Sequence, residues 1–428
     1  MNINFNRIQG GICFSVKLDQ DDRREGVRIQ GDKTRIELLT DKIFFKVSPS
    51  EINEDHIAFA ALAIFLPFIG SKVKFNFTVT QSIQVFLDSP YVETWSGSKV
   101  AVASKIQSKK NDMPLSKDFS SVGIAIGGGF DAVALAIMFP ECRMFHLVDT
   151  PVINSVTYFP NYRFLNGSQK ISQSIGQVIT RVDSNLESSF APRGIPSWFA
   201  FIIPALIMSV DWGIRGVMTG TIFESSYMSN GRRYDDISKS FLNNPVIKTL
   251  REIGIPHYSG LAGVTEHNTL SLVARHGLSD YVSHCIMGDA DDGPCGICAK
   301  CHRKYLNYLA AKEINPLLPR SKEFEVMSYE KYNSIPYVLR FFEKSPLFFA
   351  SSYTWLYKVL GPKIFSPEML RAMSDQPKPL DNTKFFQPSI DVIPSDLQDL
   401  YLRRVSQYFE KMTDAEVAAV RSWKCVGV

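Results

Sequence analysis

Four of the seven cysteines fall in one short stretch, with the spacing C-x9-C-x2-C-x2-C: Cys285, Cys295, Cys298 and Cys301. Thiolates are soft ligands that suit tetrahedral Zn²⁺, and a C-x2-C turn brings two sulfurs to one ion. Because four sulfurs close the coordination sphere, the spacing predicts a structural zinc knuckle and not a catalytic metal. An iron–sulfur cluster or a set of free thiols is the alternative that spacing alone leaves open.

A glycine triplet is the second pattern that could do chemistry. An apolar run of strand length at residues 122–126 precedes Gly127, Gly128 and Gly129, and Asp131 then opens an Ala-rich run that ends at Pro140. Glycine permits positive φ and close approach of a ligand to the backbone. The N–H groups and dipole of a following helix favour an anion. The pattern predicts a phosphate cradle for a nucleotide; a tight turn without a ligand is the alternative.

Residues 118–315 alternate between strand-like and helix-like segments. The pattern predicts strands at 122–126, 143–148, 177–182 and 216–220, and helices after Asp131, at 167–179 and at 198–210. Such repeats without hairpin signals indicate an α/β fold, with a parallel sheet covered by helices on both faces. Ligands of these folds bind at the carboxyl ends of the strands. We therefore expect Gly127 to Asp131, Asp149 and the segment containing Gly220 to meet at one edge.

Several charged side chains near these strand ends are candidates for substrate contacts. Glu224, Arg232 and Arg233 belong to the polar stretch 223–236, and Arg193 precedes the apolar segment 198–210. A planar guanidinium fits phosphate and carboxylate alike. The alternative for the stretch 223–236 is a solvated surface loop.

Length and composition predict a globular protein of two or three domains. We place an N-terminal α+β accessory domain at residues 1–115, the nucleotide-binding core at 118–315 and a helical C-terminal extension at 316–428. In the first domain the expected strands are 12–18, 35–39, 43–47 and 73–79. A helix is expected at 51–68, with Ser48, Ser50 and Asn53 as candidate caps. In the extension, residues 396–412 have amphipathic spacing.

Composition also argues against some classes of function. The net charge of +4 is dispersed, which gives little support for nucleic-acid binding. The apolar stretches 56–69 and 198–210 are shorter than a membrane span and contain proline, so we expect buried helices. The first residues lack a signal-peptide core, and clustered cysteines suit a reducing cytoplasm. A homodimer is compatible with the sequence.

The glycine loop is similar to the pyrophosphate loop of the N-type ATP pyrophosphatases, written Ser-Gly-Gly-x-Asp-Ser. The matching residues are Gly127, Gly128, Gly129, Phe130, Asp131 and Ala132. Gly127 and Ala132 stand where that family has serines. With the cysteine knuckle downstream, residues 118–309 resemble the 7-cyano-7-deazaguanine synthases of the queuosine pathway.

The resemblance implies an adenine nucleotide alpha hydrolase-like (PP-loop) fold, with ATP phosphates bound, directly or through Mg²⁺, by Gly127, Gly128, Gly129 and Asp131. Phe130 and Ala132 of the loop, and Asp149 and Gly220 at neighbouring strand ends, are further candidates for the nucleotide site. It assigns Asp131 a catalytic part and the zinc a bracing one. It implies a ligase that activates a 7-carboxy-7-deazaguanine-type carboxylate for attack by ammonia or a protein amine. Members in anti-phage defence operons are thought to use a protein acceptor, and long flanking segments suit one.

Two other functions stay open on the sequence. The lost serines are compatible with a nucleotide- or base-binding scaffold without catalysis. A related PP-loop enzyme acting on tRNA is the third option.

Overall fold

The computed structural model describes residues 1–28, 34–107, 118–150, 152–153, 156–157, 162–241, 243–282, 299–321, 324, 350–365 and 367–425. Its strands are Asn2–Ile8 (β1), Gly11–Lys17 (β2), Glu25–Val27 (β3), Arg35–Leu38 (β4), Lys42–Phe45 (β5), Lys72–Phe75 (β6), Val79–Thr80 (β7), Ala101–Val102 (β8), Ile106–Gln107 (β9), Val122–Ala125 (β10), Arg143–Asp149 (β11), Val152–Ile153 (β12), Val156–Thr157 (β13), Ile179–Ser184 (β14), Phe190–Ala191 (β15), Gly216–Thr219 (β16) and His257–Ser259 (β17).

The helices of the same ranges are Glu54–Phe65 (α1), Gln81–Leu87 (α2), Pro90–Ser96 (α3), Phe130–Met138 (α4), Tyr162–Ile175 (α5), Ile203–Ile207 (α6), Phe223–Ser226 (α7), Ile237–Phe241 (α8), Pro245–Glu252 (α9), Glu266–Arg275 (α10), Ala299–Ile314 (α11), Ala350–Leu360 (α12), Pro367–Ser374 (α13), Ser395–Val405 (α14) and Asp414–Ser422 (α15). Short 3₁₀ helices lie at Leu66–Phe68, Phe119–Ser121, Glu187–Ser189, Ala200–Ile202, Ser229–Gly231, Ser279–Tyr281, Pro362–Ile364 and Gln387–Val392.

A ten-stranded sheet in the order β17-β16-β10-β11-β14-β5-β2-β1-β6-β8 forms the centre of the molecule. The five strands from β17 to β14 pair in parallel, as the β–α repeats predict. The strands β14, β5, β2 and β1 pair in antiparallel fashion, and parallel pairing resumes at β6 and β8. The fold is therefore α/β with a large, mostly parallel sheet.

Alternate residues of the parallel strands enter two different apolar cores. On β16, Val217 belongs to the core containing α1, α6 and α9, whereas Met218 belongs to the core containing α4, α10 and α14. Side chains of a strand alternate between the two faces of a sheet. Helices thus cover both faces, as predicted.

The strands of the first residues belong to this same sheet. Ser184 of β14 pairs with Phe45 of β5, and Lys46 donates its N–H to the Asp183 carbonyl at 2.8 Å. Helix α1 then packs against α6, which belongs to the later part of the chain. A single sheet and a shared core therefore join residues 1–107 to residues 118–259; the three-domain division stays a prediction.

Helix α1 confirms the helix expected between residues 51 and 68. Asn53 is its N-cap and accepts N–H groups of Asp55 and His56 at 3.0 and 3.3 Å. The helix is buried from Asp55 onward, which confirms a buried apolar helix here. The described part of the chain contains no helix with the length and apolar character needed to cross a bilayer.

The helix expected over residues 198–210 is wrong in extent. A 3₁₀ turn covers Ala200–Ile202, and the α-helix α6 spans only Ile203–Ile207, with Pro204 in its first turn. Proline lacks an N–H group and fits the first turn of a helix better than its interior. An apolar run was therefore a poor guide to the helix bounds here.

The histidine at the start of α1 generates a prediction about acid stability. The His56 ring lies 2.7 Å from Ser209 Oγ and 2.8 Å from the Ile253 carbonyl oxygen, and burial lowers its pKa to about 4. The unfolded chain takes up a proton near pH 6.5, so this contribution to stability is complete above that pH and is lost as pH falls toward 4.

We therefore expect His56→Gln to cost about 2 kcal/mol less at pH 5 than at pH 7, measured by urea unfolding. Ser209→Ala is the matched control, because it removes the same hydrogen bond and keeps the titrating ring; its cost should not fall in this way. An equal cost of His56→Gln at both pH values would contradict the assignment.

Candidate active site

The glycine loop lies where the order of the parallel strands reverses. The chain leaves β10 for its neighbour β11 on one side, and β16 later pairs with the other side of β10. The loop after β10 and Gly220 after β16 thus flank the crevice in which open α/β sheets bind ligands. A Cβ atom on Gly220 would lie 3.1 Å from the Asp131 carbonyl carbon, so these two predicted site residues are packed together.

The loop has the backbone geometry of a turn that only glycine forms readily. Gly128 has a φ of +83°, in the left-handed region. Gly129 is the N-cap of α4, and no side chain accepts a hydrogen bond from the first turn at this cap. A Cβ atom on Gly127 or Gly129 would meet nothing within 4 Å. The N-terminus of α4 therefore borders open space, with N–H groups that lack partners within the helix.

Asp131 lies in the first turn of α4 and connects the loop to a group of charged side chains. Its Oδ1 atom accepts a hydrogen bond from the Thr269 hydroxyl at 2.7 Å and lies 3.6 Å from Lys304 Nζ. A third of the Asp131 side chain, 33%, remains exposed. The carboxylate is thus oriented by α10 and α11 and still reaches solvent.

Glu266, the first residue of α10, is the centre of this charged group. Its carboxylate accepts two hydrogen bonds from Arg303, from Nε and, at 3.0 Å, from Nη2, and one from Asn307 Nδ2 at 3.3 Å. Lys304 Nζ lies 2.8 Å from Oε1. Burial alone would raise the pKa of Glu266, but Arg303 and Lys304 outweigh it and lower the pKa to about 2. Glu266 is therefore a permanent buried anion held by two cations.

Glu224 is buried beneath Glu266 instead of lining an open surface. Its carboxylate accepts the Glu266 backbone N–H at 3.0 Å and the Ser352 hydroxyl at 3.2 Å. Burial, with the charge of Glu266, raises the pKa of Glu224 to about 7. The residue predicted as a substrate contact thus lies at the N-terminus of α10 as an internal hydrogen-bond acceptor.

Asp149 and Arg193 form a separate pair at the end of β11. Arg193 Nη2 lies 2.6 Å from Asp149 Oδ2, and Asp149 Oδ1 accepts the Ser188 N–H at 3.1 Å. The Asp149 carboxylate is buried, whereas 58% of the Arg193 side chain is exposed. Two predicted site residues therefore pair with each other at the carboxyl end of β11, the edge at which ligands were expected.

Arg232 and Arg233 lie on the surface beside the C-terminal segment. The Arg232 carbonyl accepts the Cys425 N–H at 2.7 Å, and Arg233 forms a β-bridge with Lys424. Among the described contacts, none joins either arginine to the glycine loop. The structure thus brings Asp131, Gly220 and Glu224 into one region and leaves these arginines outside it.

Of the four knuckle cysteines, Cys285, Cys295 and Cys298 lie outside the described residues. Cys301 is buried in α11, within the apolar core that also contains Phe130 of the glycine loop. One turn further along α11, Lys304 reaches Asp131. Among the described residues, no three His, Cys, Asp or Glu side chains are grouped as metal ligands. The zinc site remains a prediction.

Sequence reasoning missed Thr269, Glu266, Lys304 and Asn307. The stretch 265–268 contains a pattern that could have predicted the start of α10. Thr265 caps this helix by accepting the Asn268 N–H at 3.2 Å. A capping threonine followed by an acidic residue is typical of a helix N-terminus. The pairing of that helix with α11 has no comparable local signal.

A family model described as "Family of unknown function (DUF6395)" matches residues 246–424. The matched range begins within α9 and includes α10, α11 and the charged residues Glu266, Arg303 and Lys304. The glycine loop precedes it. No curated protein matches the chain at a significant level.

The raised pKa of Glu224 gives a prediction for Glu224→Gln. A folded-state pKa above the ordinary value of 4.5 stabilises the protein at low pH, and this stabilisation is lost as pH rises through 7. Glutamine preserves the acceptor oxygen without the charge. Relative to wild type, the variant should gain about 2 kcal/mol of unfolding free energy between pH 5 and pH 8. A difference that is constant with pH would contradict it.

Close packing at Gly220 gives a second prediction. Alanine there would place Cβ 3.1–3.3 Å from backbone atoms of Asp131 and Ala132, which cannot move without shifting α4. We expect Gly220→Ala to lower the unfolding free energy by about 1–3 kcal/mol in urea. Gly127→Ala is the control, since its Cβ meets no protein atom, and it should cost far less. Equal costs would argue against this packing.

Proposed function

We propose that this chain is an ATP-dependent carboxylate–amine ligase resembling the 7-cyano-7-deazaguanine synthases. One observation carries the proposal. The uncapped N-terminus of α4, with three glycines before it and Asp131 within it, opens at the point where the strand order of the parallel sheet reverses. Helix N-termini at such points suit phosphate groups.

The neighbourhood of the loop agrees with a nucleotide ligand. Gly220 packs on the backbone of Asp131, and the open space beside Gly127 and Gly129 leaves their backbone accessible. Cys301 belongs to the same apolar core as Phe130, and Lys304, three residues further along α11, lies 3.6 Å from Asp131 Oδ1. This proximity supports the resemblance, in which the knuckle braces the substrate pocket.

One described residue fits each metal that the proposal requires. Asp131 has a partly exposed carboxylate, and hard oxygen ligands of this kind suit Mg²⁺. Cys301 would supply one thiolate of the structural zinc site. ATP would supply activation of the acid, a 7-carboxy-7-deazaguanine-type carboxylate.

The chain's own part in the reaction is to position charge. The loop N–H groups and the α4 dipole would hold the phosphates, and Thr269 would fix the rotamer of Asp131. Holding acid, nucleotide and amine together would supply most of the remaining rate. The acceptor amine is ammonia or a protein amine, the latter as in anti-phage defence.

The direct test incubates the full chain with ATP, Mg²⁺, 7-carboxy-7-deazaguanine and ammonium, or a candidate protein amine. Mass spectrometry then measures AMP, pyrophosphate and the amide or nitrile product. We expect Asp131→Asn to reduce turnover at least a hundredfold while its unfolding midpoint stays near that of wild type. Asp396→Asn, the same change in the exposed first turn of α14, is the matched control and should retain activity.

Unchanged turnover in Asp131→Asn would overturn the role given to this carboxylate. A non-catalytic nucleotide-binding scaffold is the second candidate, favoured by Gly127 and Ala132 in place of two serines and by the engagement of Asp131 with Thr269. ATP binding by wild type without AMP, ADP, pyrophosphate or product would favour it.

A further inference from the structure

Lys304 is the second cation beside the buried Glu266 carboxylate, and it also faces Asp131. Arg303 already donates two hydrogen bonds to its carboxylate, and Asn307 donates a third. Lys304 is only 2% exposed and lies 2.8 Å from Oε1, yet Nζ forms no hydrogen bond of standard geometry with it. A buried ammonium is costly unless it is well paired. Nζ is therefore shared between two carboxylates, and its donors are not fully used by either.

Lys304 also lies beside the first turn of α4. Nζ lies 3.6 Å from Asp131 Oδ1 and 5.3 Å from the centre of the Phe130 ring. These two residues form the first turn of α4, whose N-cap lacks a side-chain hydrogen bond. The ammonium charge and the positive end of the α4 dipole are therefore brought to one place. Asp131 supplies one negative charge at this helix end, and its partly exposed carboxylate leaves room for an anion beside it.

The glycine loop lacks side-chain donors that Lys304 could replace. Serine hydroxyls flank the glycines and aspartate in the pattern that the loop resembles, and here Gly127 and Ala132 take their positions. Hydroxyl groups donate single hydrogen bonds, whereas a lysine ammonium carries three donors and a full charge. One lysine could replace the lost side-chain donors.

We propose that Lys304 binds the phosphate groups of a nucleoside di- or triphosphate held at the N-terminus of α4. This inference rests on the proposed function, since it names a further residue of the same site. Ligand binding would draw Nζ away from Oε1 of Glu266 toward the phosphates. Glu266 would keep the Arg303 guanidinium as its counter-ion and the Asn307 amide as a further hydrogen-bond donor, so it would not be left as an unpaired buried charge.

The test measures calorimetric affinities for inorganic pyrophosphate, ATP and adenosine. Lys304→Gln should weaken the affinities for pyrophosphate and for ATP by a similar factor, about 10- to 100-fold. This is the usual effect of losing one charged hydrogen-bond donor. Adenosine affinity should stay unchanged, because adenosine has no phosphate. A merely structural role of Lys304 would weaken all three. Lys248→Gln removes an exposed lysine charge from α9 and should leave every affinity unaltered.

The outcomes separate this inference from the proposed function. Wild type that binds neither ATP nor pyrophosphate would overturn both. Wild-type binding that survives intact in Lys304→Gln would overturn only the role of Lys304. If Lys304→Gln does not fold, Lys304→Met provides the same comparison, with an apolar side chain of similar length and the Arg303–Glu266 pair kept. Loss of pyrophosphate affinity in a folded variant supports the proposal.

Discussion

The buried carboxylate of Glu266 ties together the elements that form the candidate site. Its side chain holds Arg303 and Lys304 of α11, its backbone N–H binds Glu224 of α7, and Lys304 extends the group to Asp131 of α4. Removing one partner of a buried ion pair leaves an uncompensated charge, which commonly costs about 3–5 kcal/mol. The mutual position of α4, α10 and α11 therefore depends on charge as well as on apolar packing.

Local patterns were enough to predict the elements that carry the loop. The apolar run 122–126, the glycines and the Ala-rich run correspond to β10, the turn at Gly128 and α4, and residues 143–148 correspond to β11. The absence of hairpin signals in this part of the chain predicted parallel strands, and parallel strands explain why Gly127 and Gly220 lie at one edge. Each of these predictions depends on the conformational preferences of neighbouring residues.

Contacts between distant segments could not be predicted in the same way. Glu266 and Lys304 are separated by residues that include the cysteine knuckle. The sequence around either residue does not predict its contact with the other. The pairing of β5 with β14 is similar, because it joins segments far apart in the chain through few backbone bonds. The guanidinium chemistry of Arg232 and Arg233 makes them candidates, but side-chain chemistry does not predict the pairing of Arg233 with Lys424 in the C-terminal segment.

The two helices that meet at Asp131 and Glu266 differ in how their N-termini are satisfied. Thr265 caps α10, and the Glu224 side chain accepts a hydrogen bond from its first N–H group. At α4 the N-cap is Gly129, which has no side chain to offer, and Lys304 adds positive charge beside it. Thr265 satisfies a backbone N–H of α10 with a neutral hydroxyl, whereas the cap of α4 offers no such acceptor. Asp131 is the acidic residue of the first turn of α4, and its carboxylate is engaged by Thr269 and Lys304. The α4 N-terminus is thus left with backbone donors and no capping acceptor, which is the arrangement on which the proposed phosphate site depends.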